Sequence, residues 1–202
     1  MNVIGRTLFL DCETSGLNPS IHALTDLCGL VVEYDENFRP GIVCEFSQLI
    51  KPDLRLVYTD EALKLQGRTY DQLREEGRPI GHVFNDFRAM VVAQFGAVKK
   101  CSPVAHNAAF DKGFIDANCT RYNLQPITNY CWRCSVDLFR WMQTMGMHDC
   151  YRANLDAICE HYEIVADEET RHTASGDCMR TAIAVGRMMM DFRGIHPNQD
   201  VT

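Results

Sequence analysis

The sequence has no uninterrupted apolar run of about 18 residues, the length that a membrane-spanning helix requires. Its first residues lead directly into a strand-like segment and show no signal-peptide pattern. Basic residues are not in excess either, because the formal net charge is −7. We therefore expect a cytoplasmic protein with no membrane partner, and not one that coats long nucleic acid through a broad basic face. A site for a short nucleic-acid end remains compatible with this charge, since metal ions can supply positive charge locally.

Several common catalytic motifs are also absent, among them the P-loop, the nucleophile elbow and the H-E-x-x-H motif. Cysteine, by contrast, is abundant, with ten residues in the chain. Without an export signal, these cysteines predict reduced thiols in a cytoplasmic protein. Cys131 and Cys134, with His148 and Cys150 nearby, have a spacing that zinc can use. A single C-x-x-C pair favours the alternative, which is that these cysteines are buried core thiols.

The order of apolar and polar segments predicts one α/β domain over residues 1–193 and a polar tail over 194–202. Strand-like segments begin at residues 8–10 and recur at 23–34 and 42–50. Their short links predict antiparallel pairs, because a parallel crossover needs a longer connection. A short fourth strand is predicted at 102–105. The predicted helices span 59–67, 69–76, 80–95, 110–122, 135–145, 154–162 and 175–190. The expected architecture is a mixed central sheet with antiparallel first strands, flanked by helices.

Two carboxylates end the first strand. Successive strand side chains point to opposite faces, so Asp11 and Glu13 share a face and Cys12 points away. Two neighbouring carboxylates repel each other unless a cation lies between them, and Mg²⁺ or Mn²⁺ prefers oxygen ligands. The alternative is a strand end with two solvated acids, and the D-x-E pattern alone does not exclude it.

The second motif contributes a further acid just after the predicted fourth strand. Asp111 falls in the first turn of the following helix, where the helix dipole favours a carboxylate. Its simplest interpretation is a helix-capping acid, and a functional role is compatible with that interpretation.

A third motif places His172 five residues before Asp177. Two residues at this spacing would point roughly 140° apart if both were helical. They can face one cleft only if His172 lies in the preceding loop and Asp177 in the first helical turn. Thr173 or Ser175 is then the expected helix cap.

The three motifs together, in this order in one α/β domain, resemble the DnaQ-like family of 3′–5′ exonucleases. They resemble most its DEDDh branch, because the related tyrosine-using branch would need tyrosine at the position of Thr173. The resemblance extends from Thr7 to about residue 190 and includes the segment 154–164. It implies an RNase H-like fold and the release of nucleoside monophosphates from nucleic-acid 3′ ends with two Mg²⁺ or Mn²⁺ ions.

The resemblance also implies roles for five residues. Asp11 would bridge both metal ions, and Glu13 and Asp177 would complete the site on the side of the attacking water. Asp111 would serve the second ion. His172 would be the general base, a task that suits an imidazole near neutral pH.

Substrate contacts are implied around the same strand end. In relatives, the loop after the metal acids and one short helix contact the terminal nucleotide, while the second motif lines the site. The matching positions here are Thr14, Ser15, Gly16, Leu17, Glu61, Leu65, Asn107 and Phe110. Leu17 would lie against the terminal base, and Gly16 would allow a close backbone approach. His106 is expected to be a structural support.

The expected partner is a nucleic-acid 3′ end, with single-stranded DNA favoured. The alternatives are a 3′–5′ exoribonuclease that trims RNA ends and a non-catalytic accessory subunit that binds nucleic-acid ends. The sequence contains no evident polymerase-tethering segment and leaves a homodimer open.

Overall fold

Five strands form one mixed sheet at the centre of the computed structural model, which describes residues 4–165 and 173–194. The strands are β1 (Ile4–Thr14), β2 (Leu24–Tyr34), β3 (Pro40–Leu49), β4 (Val104–Ala105) and β5 (Arg133–Cys134). Their order across the sheet is β3-β2-β1-β4-β5. The first three strands pair antiparallel, as predicted, and β4 and β5 continue the sheet in parallel. The predicted α/β class with a mixed central sheet is confirmed.

Seven α-helices flank the sheet in the described part of the chain. They are α1 (Asp60–Leu65), α2 (Tyr70–Glu76), α3 (Ile80–Phe95), α4 (Ala108–Arg121), α5 (Ser135–Thr144), α6 (Leu155–His161) and α7 (Ala174–Phe192). A 3-10 turn, Val98–Lys100, follows α3. The predicted helices match these within a few residues at each end. None of the described helices is long and apolar enough to cross a membrane.

One face of the sheet packs against α3 and α4. Leu8, Leu10 and Cys12 of β1 are buried in this layer with Phe87 of α3. Gly29 of β2 allows the close approach of α3, since a Cβ at this position would lie 2.6 Å from the Phe87 ring. Alternate residues of β1 therefore contribute to one continuous apolar core.

Helix α7 covers the opposite face. Phe9 of β1 and Cys28 of β2 are buried there against Ala174 and Cys178 of α7. Gly186 lets α7 approach closely, because a Cβ there would lie 2.2 Å from the carbonyl oxygen of Phe38. The face that carries Asp11 and Glu13 is thus the face against which the first turn of α7 packs.

The structure adds one strand that was not predicted and corrects one prediction, the burial of Cys131. The predicted polar tail lies almost entirely outside the described residues. The added strand is β5. It has only two residues, which are too few to show the alternating apolar and polar pattern that identifies a strand in a sequence. Cys131 is exposed and Cys134 is half-buried, so the expected burial of Cys131 is wrong. Of the predicted tail at 194–202, only Gly194 lies among the described residues.

Candidate active site

The carboxyl end of β1 is the centre of the candidate site. Strand β4 pairs with β1 at Phe9 and Val104, so among the described residues the end of β1 has no partner strand on that side. Asp111 lies in the first turn of α4, is 2% exposed, and accepts a hydrogen bond from the Cys12 N–H at 3.0 Å. This contact joins Asp111 directly to β1, the strand that carries Asp11 and Glu13.

The fourth acid, Asp177, comes from the first turn of α7. Thr173 caps this helix by accepting a hydrogen bond from the Gly176 N–H, as predicted. Asp177 then lies one turn inside the helix and accepts a hydrogen bond from Arg180 Nη1 at 2.9 Å. Packing of α7 against β1 and β2 brings Asp177 near enough to Asp11 and Glu13 to affect their ionisation.

Burial raises the pKa values of three of these acids, and neighbouring carboxylates add to the shift for Asp11 and Glu13. Burial raises the pKa of Asp11 well above its ordinary value, and Asp111, Glu13 and Asp177 raise it further. Burial and Asp177 are the main causes that raise the pKa of Glu13 to about 8. Burial raises the pKa of Asp111 to about 7, although the bond from Cys12 opposes this shift. Without added positive charge, the site therefore resists full ionisation.

These acids match a divalent metal ion in charge and in donor type. Carboxylate oxygens are the ligands that Mg²⁺ and Mn²⁺ prefer, and a bound cation would reverse the mutual repulsion. Residues 4–165 and 173–194 contain no three metal-binding side chains that are already arranged around one point. Asp111 and Asp177 each accept a hydrogen bond from a donor within the chain, which explains in part why their carboxylates do not point at a common centre. An ion would have to draw the carboxylates together.

The predicted general base, His172, lies outside the described residues. Its neighbour Thr173 is the N-cap of α7, only four positions before Asp177. The role of His172 stays a prediction from the sequence.

The loop after β1 is held by an internal network. The Ser15 hydroxyl donates to the Val57 carbonyl at 2.5 Å and accepts from the Ala23 N–H at 2.8 Å. Ser15 is fully buried and its side chain holds the loop, and its contact with a substrate stays a prediction. The Thr14 hydroxyl, also buried, donates to the Gly16 carbonyl at 2.8 Å.

Gly16 and Leu17 form the outer part of this loop. A Cβ at Gly16 would lie 2.4 Å from the His22 ring, so only glycine allows the observed packing. Leu17 is 83% exposed, an unusual exposure for a leucine next to a buried strand end.

Helix α1 contributes a second exposed apolar side chain. Leu65 is 66% exposed, and Glu61 is also exposed. Sequence reasoning missed Gln66, which holds α1 in place. Its Nε2 donates to the Thr14 carbonyl at 2.6 Å, and its Oε1 accepts from the Thr25 hydroxyl at 2.9 Å. A buried glutamine directly after a helix gives no recognisable signal in a single sequence.

The second motif divides into exposed and supporting residues. Asn107 is exposed and adopts a left-handed backbone with φ 59° just before α4. Phe110 is half-buried, and its ring centre lies 5.1 Å from that of Phe114. His106 Nδ1 lies 2.9 Å from the Ser135 hydroxyl, and burial lowers the pKa of His106 to about 4. His106 is therefore neutral at physiological pH, as its expected structural role requires.

Two further charged residues beside the acids were not predicted. Arg180, whose side chain is 7% exposed, binds both Asp177 and Asp156 and so joins α7 to α6. Asp26 lies opposite Glu13 on β2 and is 6% exposed. Burial raises the pKa of Asp26, and its Oδ1 has no hydrogen-bond partner among the described residues. The spacing of Arg180 from Asp177, three residues along a helix, was the available signal for the first of these.

A family model described as "Exonuclease", RNase_T, matches residues 8–185. Ribonuclease T of Actinobacillus pleuropneumoniae is 33% identical over 158 residues, which cover 73% of this chain and 71% of that protein. The DNA polymerase III epsilon subunit of Buchnera aphidicola is 27% identical over 180 residues, which cover 86% of this chain and 70% of that protein. The PolC-type DNA polymerase III of Streptococcus agalactiae is 29% identical over 194 residues. That match covers 95% of this chain and only 11% of the polymerase.

Solved structures show the same fold and confirm the predicted RNase H-like fold. E. coli exonuclease I, in complex with a dT13 oligonucleotide, aligns with a TM-score of 0.76 at 16% identity. The alignment covers 95% of this chain and 42% of exonuclease I. The cell-death related nuclease CRN-4 aligns with a TM-score of 0.72 at 19% identity, over 91% of this chain and 63% of that nuclease.

Proposed function

The chain belongs to the DnaQ-like exonuclease family, and on that premise we propose that it is a DEDDh-type 3′–5′ exonuclease. Its proposed reaction is the metal-dependent release of nucleoside monophosphates from single-stranded DNA 3′ ends. The observation that carries the proposal is that Asp111 and Asp177 lie close enough to Asp11 and Glu13, at the end of β1, to raise the pKa values of those two acids.

Each acid has a role in this proposal. Asp11 would contact two Mg²⁺ or Mn²⁺ ions, Glu13 and Asp177 one of them, and Asp111 the other. When bound, such ions activate the attacking water and stabilise the leaving oxygen. The chain positions the acids itself, since the Cys12 N–H orients Asp111 and Arg180 orients Asp177. His172 would accept the proton of the attacking water, as a general base with a pKa near neutrality can.

The proposed substrate contacts surround this centre. Leu17 and Leu65 expose apolar side chains that can pack against the terminal base. Neither offers a polar side-chain group, so we expect little preference between bases. An unpaired 3′ end avoids the few kcal/mol that unpairing and unstacking cost, which favours single strands over blunt duplexes. Gly16, Thr14, Glu61, Asn107 and Phe110 remain proposed contacts around the same nucleotide.

A time course on DNA labelled at the 5′ end tests the direction and the substrate form together. Single-stranded, 3′-overhang and blunt duplex substrates are compared with Mg²⁺ and after exhaustive chelation. We expect a ladder that shortens from the 3′ end, fastest on the single strand and absent without metal. Internal cleavage, release from the 5′ end or undiminished activity after chelation would contradict the proposal.

An exoribonuclease is the second candidate. A relative named Ribonuclease T is 33% identical to the chain, and the acids described above would serve either sugar. Discrimination between RNA and DNA depends on contacts near the 2′ position. Parallel time courses on RNA and DNA of the same sequence decide between the two, and faster RNA hydrolysis would favour this candidate.

A further inference from the structure

Two neighbouring cavities lie on the β5 side of the candidate site. The first, of about 750 Å³, begins at His106 and Asn107 and extends to Arg140 on α5. The second, of about 860 Å³, extends to Lys99 after α3. Both are lined by Lys112, Tyr130 and Trp132. Because these side chains border both cavities, we treat the two cavities together and call them the aromatic groove.

The aromatic groove begins next to the candidate active site. Asn107 immediately precedes α4, and Asp111 lies four residues further along the chain in the first turn of that helix. A strand whose 3′ end reached the acids could therefore enter the groove at Asn107 without leaving the protein surface.

Two aromatic side chains in the groove are held on a rigid loop. Asn129 fixes the loop, because its N–H donates to the Cys101 carbonyl at 3.0 Å and its Oδ1 accepts from the Cys131 N–H at 2.9 Å. Trp132 Nε1 donates to the Asn129 carbonyl at 3.1 Å, and this bond sets the ring orientation. Tyr130 is 84% exposed although it carries a large apolar ring. The Trp132 ring is thus held in place and the Tyr130 ring is open to solvent, and both can stack with successive bases.

The charge of the groove differs from that of the whole chain. Four cationic side chains line it, against two acidic ones, in a protein whose formal net charge is −7. The cations are Arg88, Lys99, Lys112 and Arg140, and the acids are Asp116 and Asp137. Lys112 pairs with Asp116, whereas Lys99 and Arg140 are exposed and form no ion pair within residues 4–165 and 173–194. Basic side chains interleaved with aromatic ones are the pattern that binds single-stranded nucleic acid.

We propose that the aromatic groove binds the single-stranded segment that precedes the 3′-terminal nucleotide. Bases of this segment stack on Tyr130 and Trp132, and its phosphates contact Lys99 and Arg140. This inference rests on the proposed function for its direction, since that function places the 3′ end at Asp11. The groove supplies the affinity for longer strands, whereas the proposed contacts at the end of β1 hold only the terminal nucleotide.

Binding measured after metal chelation tests the groove without hydrolysis. The probes are 5′-fluorescein-labelled oligothymidylates of two and eight nucleotides, followed by fluorescence anisotropy. Tyr130→Ala is the main variant, because the high exposure of Tyr130 makes a folding defect easy to avoid. We expect its Kd for the octamer to rise about fivefold to a hundredfold, as for loss of one stacked base, and its Kd for the dimer to change far less.

Matched controls separate the groove from general surface effects. Tyr151→Ala removes an equally exposed tyrosine, 90% exposed, that lines neither cavity, and it should leave octamer binding unchanged. Arg140→Glu should lower the slope of log Kd against log salt by about one, relative to Arg39→Glu on the far edge of the sheet. Wild-type octamer binding by Tyr130→Ala, or equal losses for dimer and octamer, would overturn the proposal.

The outcomes also distinguish this inference from the proposed function. A protein that binds the octamer through Tyr130 but hydrolyses no substrate with Mg²⁺ would support the groove and contradict the exonuclease activity. A protein that degrades single strands while Tyr130→Ala binds them normally would contradict only the groove.

Discussion

The two faces of β1 serve different purposes, although they belong to the same strand. On one face, Leu8, Leu10 and Cys12 are all buried among apolar side chains of α3 and α4. On the other, buried Phe9 is followed by Asp11 and then Glu13. The first face contributes to stability along its whole length. The second contributes only up to Phe9, and beyond it places acids where burial disfavours their charge.

This difference shows where the chain gives up stability to build a site. A buried carboxylate without a cation costs free energy, and neighbouring carboxylates increase that cost. Asp26 of β2 extends the acidic region across the sheet, opposite Glu13. Contacts of α7 with Phe9 and Cys28 hold the same face together and offset the repulsion. Single substitutions on one face or the other should therefore separate effects on activity from effects on stability.

Asp11→Asn should abolish turnover and raise the thermal midpoint of the metal-free protein. The amide cannot replace the carboxylate as a metal ligand, yet it removes one of several repelling charges. The adjacent variant Leu10→Ala, on the apolar face, should do the opposite. It should lower the free energy of unfolding by about 2–5 kcal/mol and keep turnover per folded molecule. Thermal unfolding with chelator and rate assays with Mg²⁺ measure both effects, and a near-normal rate for Asp11→Asn would refute its proposed role.

His172→Gln should lower turnover by about 10²–10⁴-fold, which is the usual contribution of a positioned general base. Metal affinity should change little, because the imidazole is not expected to be a ligand. Isothermal titration with Mn²⁺ alongside steady-state rates separates these effects. A rate loss that follows weakened Mn²⁺ binding would make His172 a ligand or a structural residue instead.

Arg180→Met should lower turnover by about 10–100-fold, as is usual when a group that orients a metal ligand is removed. Arg180 contacts Asp177, and its loss would leave that acid without its orienting donor. The Mg²⁺ concentration for half-maximal rate should shift as well, which a purely structural defect would not produce. Arg152→Met is the control, because its ion pair with Glu160 is exposed and should contribute little. Equal rate losses in the two variants would contradict a positioning role.

Much of this arrangement could be predicted because it follows from local periodicity. The limits of α3 and the Thr173 cap follow from apolar spacing and capping chemistry, both of which depend on neighbouring residues. The assignment of Asp11 and Glu13 to one face needed only the two-residue period of a strand.

The unpredicted features depend on contacts between distant segments. Gln66 bonds to Thr14 and Thr25, and Arg180 bonds to Asp156. Nothing in the local sequence of either residue indicates these partners. Strand β5 likewise exists only because Arg133 and Cys134 pair with β4. Ser15 closely follows Asp11 and Glu13 in sequence, but the contacts of its loop with Val57 turn it inward.

The smallest expected effect is a pH dependence of stability in the metal-free protein. Glu13 has a folded-state pKa of about 8 against an ordinary 4.5, and Asp111 about 7 against 3.8. Because folding raises these pKa values, the protonated acids favour the folded state, and this stability is lost as the pH rises through the folded pKa values. His106 has the opposite sign, since its pKa falls from 6.5 to about 4, and its contribution is lost only as the pH falls below 6.5.

The acids dominate the window from pH 6.5 to 8, because His106 is neutral there in the folded state and at least half neutral in the unfolded state. With chelator present, we expect the free energy of unfolding to decrease across this window, and urea titrations at several pH values measure it. Glu13→Gln should flatten the decrease, whereas Glu33→Gln, at a partly exposed ion pair with Arg6, should not. Saturating Mg²⁺ should abolish or reverse the decrease, because bound cations favour the ionised acids. A stability that is constant from pH 6.5 to 8 without metal would mean that the acids at the end of β1 do not interact as their burial requires.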